Sequence, residues 1–382
     1  QAALVSPPSE ADLAAYFDNV VGPNSGLTLA DLPRIAQDSF WIAAQPVTDE
    51  ERAKLSECLK KSPCDTGHGD LKIGIAETFA ANPWRQQFRA NVTLQLLRYP
   101  QVKEIYFTDG GADLQKVLSN FRSLIAQGVN GIVGVFDFGP AMEPVLKQAQ
   151  AKGIAVVSHS QAITSAIGKY DNYTDINIDA CKQGTVSGEL AAAVKDGATV
   201  AMYTGTPGNP FAAEWQPCAE KAIADGGGEI TTNGTTNWSP QGEQEAAAAL
   251  VAKGLPDAII YDYLPDAFWN KIKDAKGTPP AQIGGSMSFG SYKIWTEFKD
   301  AGIDVPAYIV NSQNGYAVTA ASTVVEQALG EGADIEDRVI MPITVLPITD
   351  YASYYDPSVP EGGAFNTGLP ADIQTEALTA AG

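Results

Sequence analysis

Polar and aromatic side chains that could bind a small ligand follow several β-strand-like runs of this sequence. Trp84 and Arg85 come after the first run, where Asn82 and Pro83 are suited to starting a helix. An aromatic face can stack on a sugar ring, and an arginine presents a fork of donors to hydroxyls. The remaining candidates at strand ends are Thr78, Asp137, His159, Ser160, Gln161, Asp262, Tyr263, Asn311 and Gln313. Carboxylates accept hydrogen bonds and amides both donate and accept them, so the set suits a neutral polyhydroxyl ligand.

Two candidates have a structural alternative that the sequence leaves open. His159 would either contact the ligand or cap a backbone carbonyl at its strand end. Trp215 follows the loop 205–209 on a predicted helix, on a face that either looks into a cleft or packs in the core.

Motifs for nucleotide and hydrolase chemistry are missing from the sequence. It has no G-x-S-x-G elbow, no G-x-G-x-x-G after a strand and no phosphate-binding G-x-x-x-x-G-K-[ST] loop. Two histidines and four cysteines leave few ligands for a transition metal, so we expect neither a metal nor an organic cofactor. Glu77, Asp137 and Asp262 could still supply a carboxylate pair for glycoside hydrolysis, which is the remote enzymatic alternative to a binding protein.

The elements that must position these side chains form a regular pattern from Leu71 onward. Short, continuously apolar runs alternate with amphipathic helical stretches, which is typical of buried parallel strands. The pattern occurs as two sets, so we predict an α/β protein with two Rossmann-like lobes that face each other across a cleft. The predicted strands are 71–76, 104–108, 131–136, 154–158, 176–178, 199–203, 229–232, 258–261, 282–285, 307–310 and 338–348.

Residues 1–70 have a different character and predict a helical N-terminal extension, with helices at 9–21, 28–37 and 48–60. Cys58 and Cys64 enclose a short loop at the end of the last helix. We predict a disulfide there, since a metal site would need more ligands than His68 can add.

Cys181 and Cys218 lie near the starts of successive predicted helices. They form either a second disulfide or a pair of buried free thiols, and the sequence does not decide between them. An even number of cysteines with one close pair favours an oxidising compartment.

The composition disfavours several classes of binding partner and a membrane-spanning helix. The 382 residues carry 45 acidic and 25 basic side chains, a formal charge of −20, which disfavours nucleic acid and anionic membranes as partners. No apolar run reaches the ~20 residues that a membrane-spanning helix needs. The chain starts Gln-Ala-Ala-Leu without a signal sequence, so we expect a mature exported protein, in the periplasm or at the cell surface.

Several segments resemble the periplasmic binding proteins of the ribose- and galactose-binding type. Ile73-Gly74-Ile75 followed by Asn82-Pro83-Trp84 resembles the first strand and helix of that family. The segment 124–133, LIAQGVNGIV, is similar to the family's LIAQGVDAII, and 153–157, GIAVV, is similar to its GIPVV strand. Ile178-Asp179 through Gly184 resembles the start of the family's second lobe. The similarity covers about residues 71–347.

The resemblance implies a monomeric solute-binding protein of an ABC importer, which docks on the transporter permease. Three crossovers near 176–178, 311–312 and 343–345 would form a hinge, and closure would enclose a monosaccharide or related polyol. The first lobe would comprise 71–177 and 312–342, and the second 178–311 and 343–382. By position, the contacts would be Thr78, Asn82, Trp84, Arg85, Asp137, Ser160 and Gln161 in the first lobe, with Trp215, Asp262, Tyr263 and Asn311 in the second.

The sequence departs from the sugar binders of this type at three places. Ser160-Gln161 stands where they usually carry Asp-Arg, Trp215 where they often have Arg, and Ser286 where an Asp is common. A sugar acid or another small polar solute, recognised by Arg85, is therefore an alternative ligand, and a sensor that feeds a receptor is an alternative role. A LacI-type repressor is excluded because residues 1–70 lack a basic helix-turn-helix.

Overall fold

The computed structural model describes residues 7–263, 266–275, 277–310 and 313–380. Helices flank two largely parallel sheets, so the predicted two-lobe α/β fold with a helical N-terminal extension is confirmed. The strands are β1 (Cys64–Asp65), β2 (Leu71–Glu77), β3 (Val102–Asp109), β4 (Gly131–Val135), β5 (Ala155–His159), β6 (Tyr173–Ile178), β7 (Thr199–Thr204), β8 (Glu229–Thr235), β9 (Ala258–Tyr261), β10 (Ala281–Gly284), β11 (Ala307–Val310), β12 (Arg338–Met341) and β13 (Val345–Pro347).

Helices cover the sheets and form the extension. They are α1 (Glu10–Val21), α2 (Arg34–Ala43), α3 (Asp49–Lys60), α4 (Pro83–Leu97), α5 (Leu114–Ala126), α6 (Glu143–Gln150), α7 (Ala180–Ala192), α8 (Pro210–Asp225), α9 (Pro240–Lys253), α10 (Asp266–Asp274), α11 (Phe289–Asp300), α12 (Ala317–Ala328) and α13 (Ala371–Thr379).

Each sheet is parallel except for one antiparallel edge strand. The seven-stranded sheet of the first lobe has the order β1-β3-β2-β4-β5-β6-β12, with β1 antiparallel. The six-stranded sheet of the second lobe has the order β13-β11-β10-β9-β7-β8, with β13 antiparallel. The chain passes between the sheets after β6, after β11 and after β12, which gives the three crossovers that the resemblance implies.

The last predicted strand, 338–348, is wrong as a single element. The structure divides it into β12, which pairs with β6 in the first sheet, and β13, which pairs with β11 in the second. Pro342 lies just after β12, and proline cannot donate a hydrogen bond to a ladder. The second extension helix also differs from its prediction, because Pro33 precedes α2 and the chain before it forms only a short 3-10 turn at Leu29–Asp31.

The extension is anchored to the first lobe through the buried side chain of Arg98 at the end of α4. Its guanidinium donates to Glu51 Oε1 at 2.8 Å and to the backbone oxygens of Ile42, Ala43 and Gln45 at 2.8–2.9 Å. Three carbonyls at the end of α2 and one carboxylate of α3 therefore converge on one cation of the lobe, which fixes the position of both helices.

Both cysteine pairs are disulfides in the structure. Cys58–Cys64 ties the end of α3 to β1, and Cys181–Cys218 joins α7 to α8 in the second lobe. The metal alternative at Cys58 and Cys64 is wrong, because the structure joins their two sulfur atoms in a disulfide. In the described part of the chain, no group of three or more His, Cys, Asp or Glu residues could hold a metal ion. None of the helices described in the structure is both apolar enough and sufficiently extended for a membrane crossing.

The division of residues between the lobes stays a proposal, and the C-terminal segment complicates it. The resemblance implies that residues 343–382 belong to the second lobe, yet α13 packs against α4 of the first lobe and α3 of the extension. Its Ile373 and Ala377 are buried in the same apolar cluster as the core of α4.

The two disulfides should differ in their contribution to stability. They close loops with sequence separations of 37 and 6 residues, and the loss of loop entropy gives about 4 and about 2 kcal/mol, respectively. We expect the double variant Cys181→Ser/Cys218→Ser to lower the calorimetric melting temperature more than Cys58→Ser/Cys64→Ser. The reverse order, or melting that is unchanged by a reductant, would contradict this.

Candidate functional site

A cavity between the lobes lies beyond the carboxyl ends of the parallel strands, where doubly wound sheets bind ligands. The empty space between its walls is about 490 Å³ when the open solvent at the mouth is included. The lining residues are Asn82, Trp84, Arg85, Val135, Ser160, Gln161, Gln183, Phe211, Trp238, Asp262, Tyr263, Gly285, Ser286 and Gln313.

Arg85 forms the floor of the cavity on the first-lobe side. It lies in the first turn of α4, which Asn82 caps by accepting from the Arg85 backbone N–H at 2.9 Å. The guanidinium donates to Glu77 Oε2 at 2.9 Å and to both oxygens of Asp137 at 2.7 and 2.8 Å. Its Cζ atom also lies 4.5 Å from the centre of the Phe79 ring, a cation–π contact.

The charge of Arg85 is balanced by one of its two carboxyl partners, Asp137. Burial raises the pKa of Glu77 to about 8, against the lowering effect of Arg85, so Glu77 is mostly protonated at pH 7. Burial also raises the pKa of Asp137, which Arg85 counteracts. Both oxygens of Asp137 accept from the guanidinium, so this carboxylate is the counter-ion of Arg85, and a protonated Glu77 adds no further charge to the cluster.

Asp262 faces this cluster from the second lobe and is held by donors of the protein. Its Oδ2 accepts from Trp215 Nε1 at 3.0 Å and from the hydroxyl of Thr204, and its Oδ1 accepts from Trp238 Nε1 at 2.9 Å. Burial raises the pKa of Asp262 to about 6, against these hydrogen bonds, so the carboxyl is mostly ionised at pH 7. Three donors fix its orientation and leave little capacity to bind anything else.

Trp238 is an aromatic wall of the cavity that the sequence analysis missed. Its indole stacks on Phe79 of the opposite lobe, with ring centres 6.4 Å apart and planes 19° from parallel. A Cβ atom at Gly205 would lie 1.8 Å from the Trp238 ring, so only glycine leaves room for the indole there. Trp238 lies three residues beyond β8, and the strand-end rule applied to that strand would have found it.

Trp84 belongs to a stack of three rings at the first-lobe wall. It lies 5.8 Å from Phe88 and 5.9 Å from His159, with nearly parallel planes. His159 Nε2 donates to the backbone oxygen of Gln313 at 2.9 Å. Of the two alternatives for this histidine, the structure therefore shows the contact with a backbone carbonyl. Burial lowers the pKa of His159 to about 4, and the ring is neutral at pH 7.

Hydrogen bonds cross directly from one lobe to the other beside the cavity. Asn82 Nδ2 donates to the Trp238 backbone oxygen at 3.3 Å, and the Trp84 backbone N–H donates to the Tyr263 hydroxyl at 3.4 Å. A third such bond runs from the Phe211 backbone N–H to Gln161 Oε1 at 3.1 Å. The lobes therefore touch at residues that line the cavity, and its walls come from both lobes.

Two lining glutamines have hydrogen-bonding capacity that the described residues do not use. The Oε1 atoms of Gln183 and Gln313 are buried and accept no hydrogen bond from the described part of the chain. A buried polar atom without a partner costs about 1–3 kcal/mol, so such atoms are expected where a ligand or water binds.

The structure separates the predicted site residues into two groups. Those that line the cavity are Asn82, Trp84, Arg85, Ser160, Gln161, Asp262, Tyr263 and Gln313. Four others lie behind it, namely Thr78, Asp137, His159 and Trp215. Asn311 lies outside the described residues.

The four residues behind the cavity have partners that account for their positions. Thr78 donates to the Val135 backbone oxygen at 2.9 Å and accepts from the Asp137 backbone N–H at 3.2 Å. The Asp137 carboxylate is turned toward Arg85. Trp215 is only 1% exposed, so the structure places it in the core and not on the face of a cleft. Its Nε1 nevertheless donates to Asp262. These residues position those that line the cavity.

The raised pKa of Glu77 predicts a pH dependence of stability. The folded state keeps this proton up to about pH 8, whereas the unfolded chain loses it near 4.5, so rising pH destabilises the fold between these values. The slope is at most about 1.4 kcal/mol per pH unit. Glu77→Gln removes this dependence. We therefore expect the unfolding free energy of the variant, relative to that of wild type, to rise from pH 5 to pH 8 and to stay constant above pH 8.

Urea unfolding at fixed pH values measures that difference. Glu104→Gln, at an ion pair on the surface of the first lobe, is the control and should show no such trend. A difference between Glu77→Gln and wild type that stays constant from pH 5 to pH 8 would show that Glu77 is ionised throughout.

Solved structures from several bacteria share the fold. One from Mycobacterium smegmatis, in complex with β-D-fucofuranose, has a TM-score of 0.60 at 19% identity over 74% of this chain and 94% of that one. The arabinose-transporter binding protein of Shewanella sp. ANA-3, bound to L-arabinofuranose, has a TM-score of 0.61 at 21% identity over 74% of this chain and 94% of that one. A Bacillus halodurans C-125 solute-binding protein with myo-inositol has a TM-score of 0.62 at 14% identity over 75% of this chain and 98% of that one.

A comparison with curated proteins gave no match. The family model described as "Periplasmic binding protein domain", in contrast, matches residues 73–332, which is more than half of the chain and includes most of both sheets. The protein therefore belongs to the periplasmic binding protein family.

Proposed function

We propose that this protein captures a neutral monosaccharide or related polyol outside the cytoplasm and delivers it to the permease of an ABC importer. The charge-balanced cluster of Arg85, Glu77 and Asp137 at the cavity floor carries this proposal. The structures described above hold furanose sugars or an inositol, which agrees with a polyhydroxyl ligand.

A neutral ligand suits the electrostatics better than an anionic one. Arg85 is the one cation among the described residues that line the cavity, and its charge is matched by Asp137. Asp262 adds a negative charge on the opposite wall. A sugar acid would bring a further carboxylate into this surrounding without a counter-charge, which is costly in a buried site.

The cavity walls supply the contacts that a polyhydroxyl ligand needs. Trp84 and Trp238 line the cavity from opposite lobes, and aromatic rings pack on the apolar side of a sugar ring. Gln183 and Gln313 offer amide oxygens that accept hydrogen bonds from hydroxyls. Specificity follows because each hydroxyl that is missing would leave a buried amide atom unpaired.

Capture requires the lobes to separate and close around a hinge. In the described conformation the cross-lobe hydrogen bonds of Asn82, Trp84 and Gln161 hold the walls together. A ligand that touches both walls would favour this arrangement over an open one, and a permease can distinguish the two.

The arrangement of the carboxylates disfavours the hydrolase alternative. Glu77 and Asp137 are both bound to Arg85, and Asp262 accepts from two indoles and a hydroxyl. A glycoside hydrolase needs one carboxyl that protonates the leaving group and a second that activates water or attacks the sugar. None of the three is placed for either step, which supports a binding role without catalysis.

A thermal-shift screen of ligand-stripped protein tests the proposal. The panel holds pentoses, hexoses, polyols, sugar acids, amino acids and nucleosides. A ligand at 100 times its dissociation constant adds about 2.7 kcal/mol of stability. We expect hits among neutral sugars or polyols; hits confined to acids, amino acids or nucleosides would refute the proposed ligand class.

Trp238 should matter as much as Trp84 for affinity. Trp238→Ala removes an aromatic wall and one donor to Asp262, so calorimetry with the sugar identified in the screen should show at least a tenfold loss, as it should for Trp84→Ala. Trp41→Ala is the matched control, because Trp41 lies on the extension and is 38% exposed. Equal affinities for Trp238→Ala and Trp41→Ala would remove Trp238 from the site.

A further inference from the structure

The segment 359–379, named the strap here, is in contact with both lobes and with the hinge. It lies beyond the family match, which ends at residue 332. We propose that the strap is a fourth connection between the lobes that limits how far the cleft can open. This inference rests on the proposed function, because it describes the control of the same cleft.

The first part of the strap is bound to the second lobe. The backbone N–H groups of Phe289 and Gly290 donate to the oxygens of Gly363 and Glu361 at 2.7 and 2.9 Å. The Phe365 N–H in turn donates to the Met287 oxygen at 3.3 Å. The Phe365 ring packs 4.9 Å from Phe289, so backbone ladder and apolar contacts both hold this part to the start of α11.

The middle of the strap lies on the hinge. Asn366 has a left-handed backbone (φ 61°), and its oxygen accepts from the Gly315 N–H at 3.0 Å, just beyond the crossover that follows β11. Its side-chain Nδ2 donates to the Val20 oxygen at 3.3 Å and to the Tyr351 hydroxyl at 2.7 Å. Asn366 therefore links the strap, the hinge and the extension in one buried cluster.

The extension contacts the hinge at a neighbouring point. The Thr344 hydroxyl, between β12 and β13, donates to the Val21 oxygen at the end of α1 at 2.6 Å. The Gly368 N–H of the strap donates to Asn19 Oδ1 at 2.8 Å. A change in the hinge would thus have to move or break contacts with α1 as well as with the strap.

The last part of the strap, helix α13, is docked on the first lobe and the extension. Ile373 is 2% exposed in the cluster that contains α4. Asp372 pairs with Arg52 at 2.6 Å, and Glu376 accepts from Ser56 at 2.8 Å, both partners being on α3. Exposed ion pairs contribute little, so the buried apolar face of α13 supplies most of the attachment.

The strap also touches the helix that carries the ligand-site residues. Gln87 Nε2 on α4 donates to the Gly362 oxygen at 3.2 Å, and the strap lies beside Pro83 at the start of that helix. Opening of the cleft would separate α4 from the second-lobe part of the strap. The contacts at both ends of the strap therefore resist the same motion.

The test measures lobe separation in ligand-free protein, so it does not depend on the identity of the ligand. Spin labels on Lys147→Cys (first lobe) and Lys271→Cys (second lobe) report the distance, because the four native cysteines are in disulfides. Ile373→Asp undocks α13 by burying a charge, and Ile303→Asp is the matched control at a position that is 39% exposed.

We expect Ile373→Asp to give a longer mean distance and a broader distribution than wild type, and Ile303→Asp to give the wild-type distribution. Asn366→Gly is the second variant, since it keeps the left-handed backbone accessible and removes the side-chain links without adding a charge. The Asn366→Gly variant still tests the strap if Ile373→Asp does not fold. Its mean label distance should also be longer than that of wild type, and its distance distribution broader.

A folded Ile373→Asp or Asn366→Gly protein with the wild-type distribution would overturn the proposed strap. If no sugar or polyol stabilises the wild-type protein, the proposed function fails, but the label distances still report whether the strap limits opening. The two failures are therefore distinguishable.

Discussion

The ligand cavity depends on one buried interaction, in which Arg85 lies between Glu77 and Asp137. An arginine that is 4% exposed is tolerated only with partners, and here two carboxylates from the ends of β2 and β4 provide them. The same interaction fixes the first turn of α4, and with it Asn82 and Trp84. It also sets the charge of the floor, because Asp137 pairs with the cation through both oxygens and a protonated Glu77 adds no charge. This balance supports the proposal of a polar but uncharged ligand.

The second lobe contributes a carboxylate to the cavity, Asp262, which accepts hydrogen bonds from two indoles. Trp215 supports Asp262 from the core, and Trp238 supports it from the cavity wall while stacking on Phe79 of the other lobe. Asp262 is thus held by donors of its own lobe, and such pre-organisation lowers the cost of binding. The extension and the C-terminal segment converge on the crossovers that join these walls. The parts of the chain that lie outside the family match therefore contact the crossovers that join the two lobes.

The sheets were predictable from the sequence because buried parallel strands are continuous apolar runs bounded by turns. Several cavity residues were predictable because they directly follow such a strand, as Ser160, Gln161 and Tyr263 do. Trp238 was missed because the predicted strand 229–232 ends six residues before it, whereas β8 continues to Thr235. The expectation that Arg85 offers its donors to the ligand did not anticipate two carboxylates that are brought to it by folding. The break at Pro342 was overlooked because the residues on both sides have high strand propensity.

The most direct test of the proposed preference for an uncharged ligand is calorimetry with a matched pair of ligands, namely the neutral sugar that binds best and its uronic acid. The pair differs by one carboxylate, so the ratio of the dissociation constants reports the charge preference of the site. We predict that the neutral sugar binds at least tenfold more tightly at pH 7. Tighter binding of the acid, lost on Arg85→Met, would show that Arg85 is available to an anion and would contradict the account.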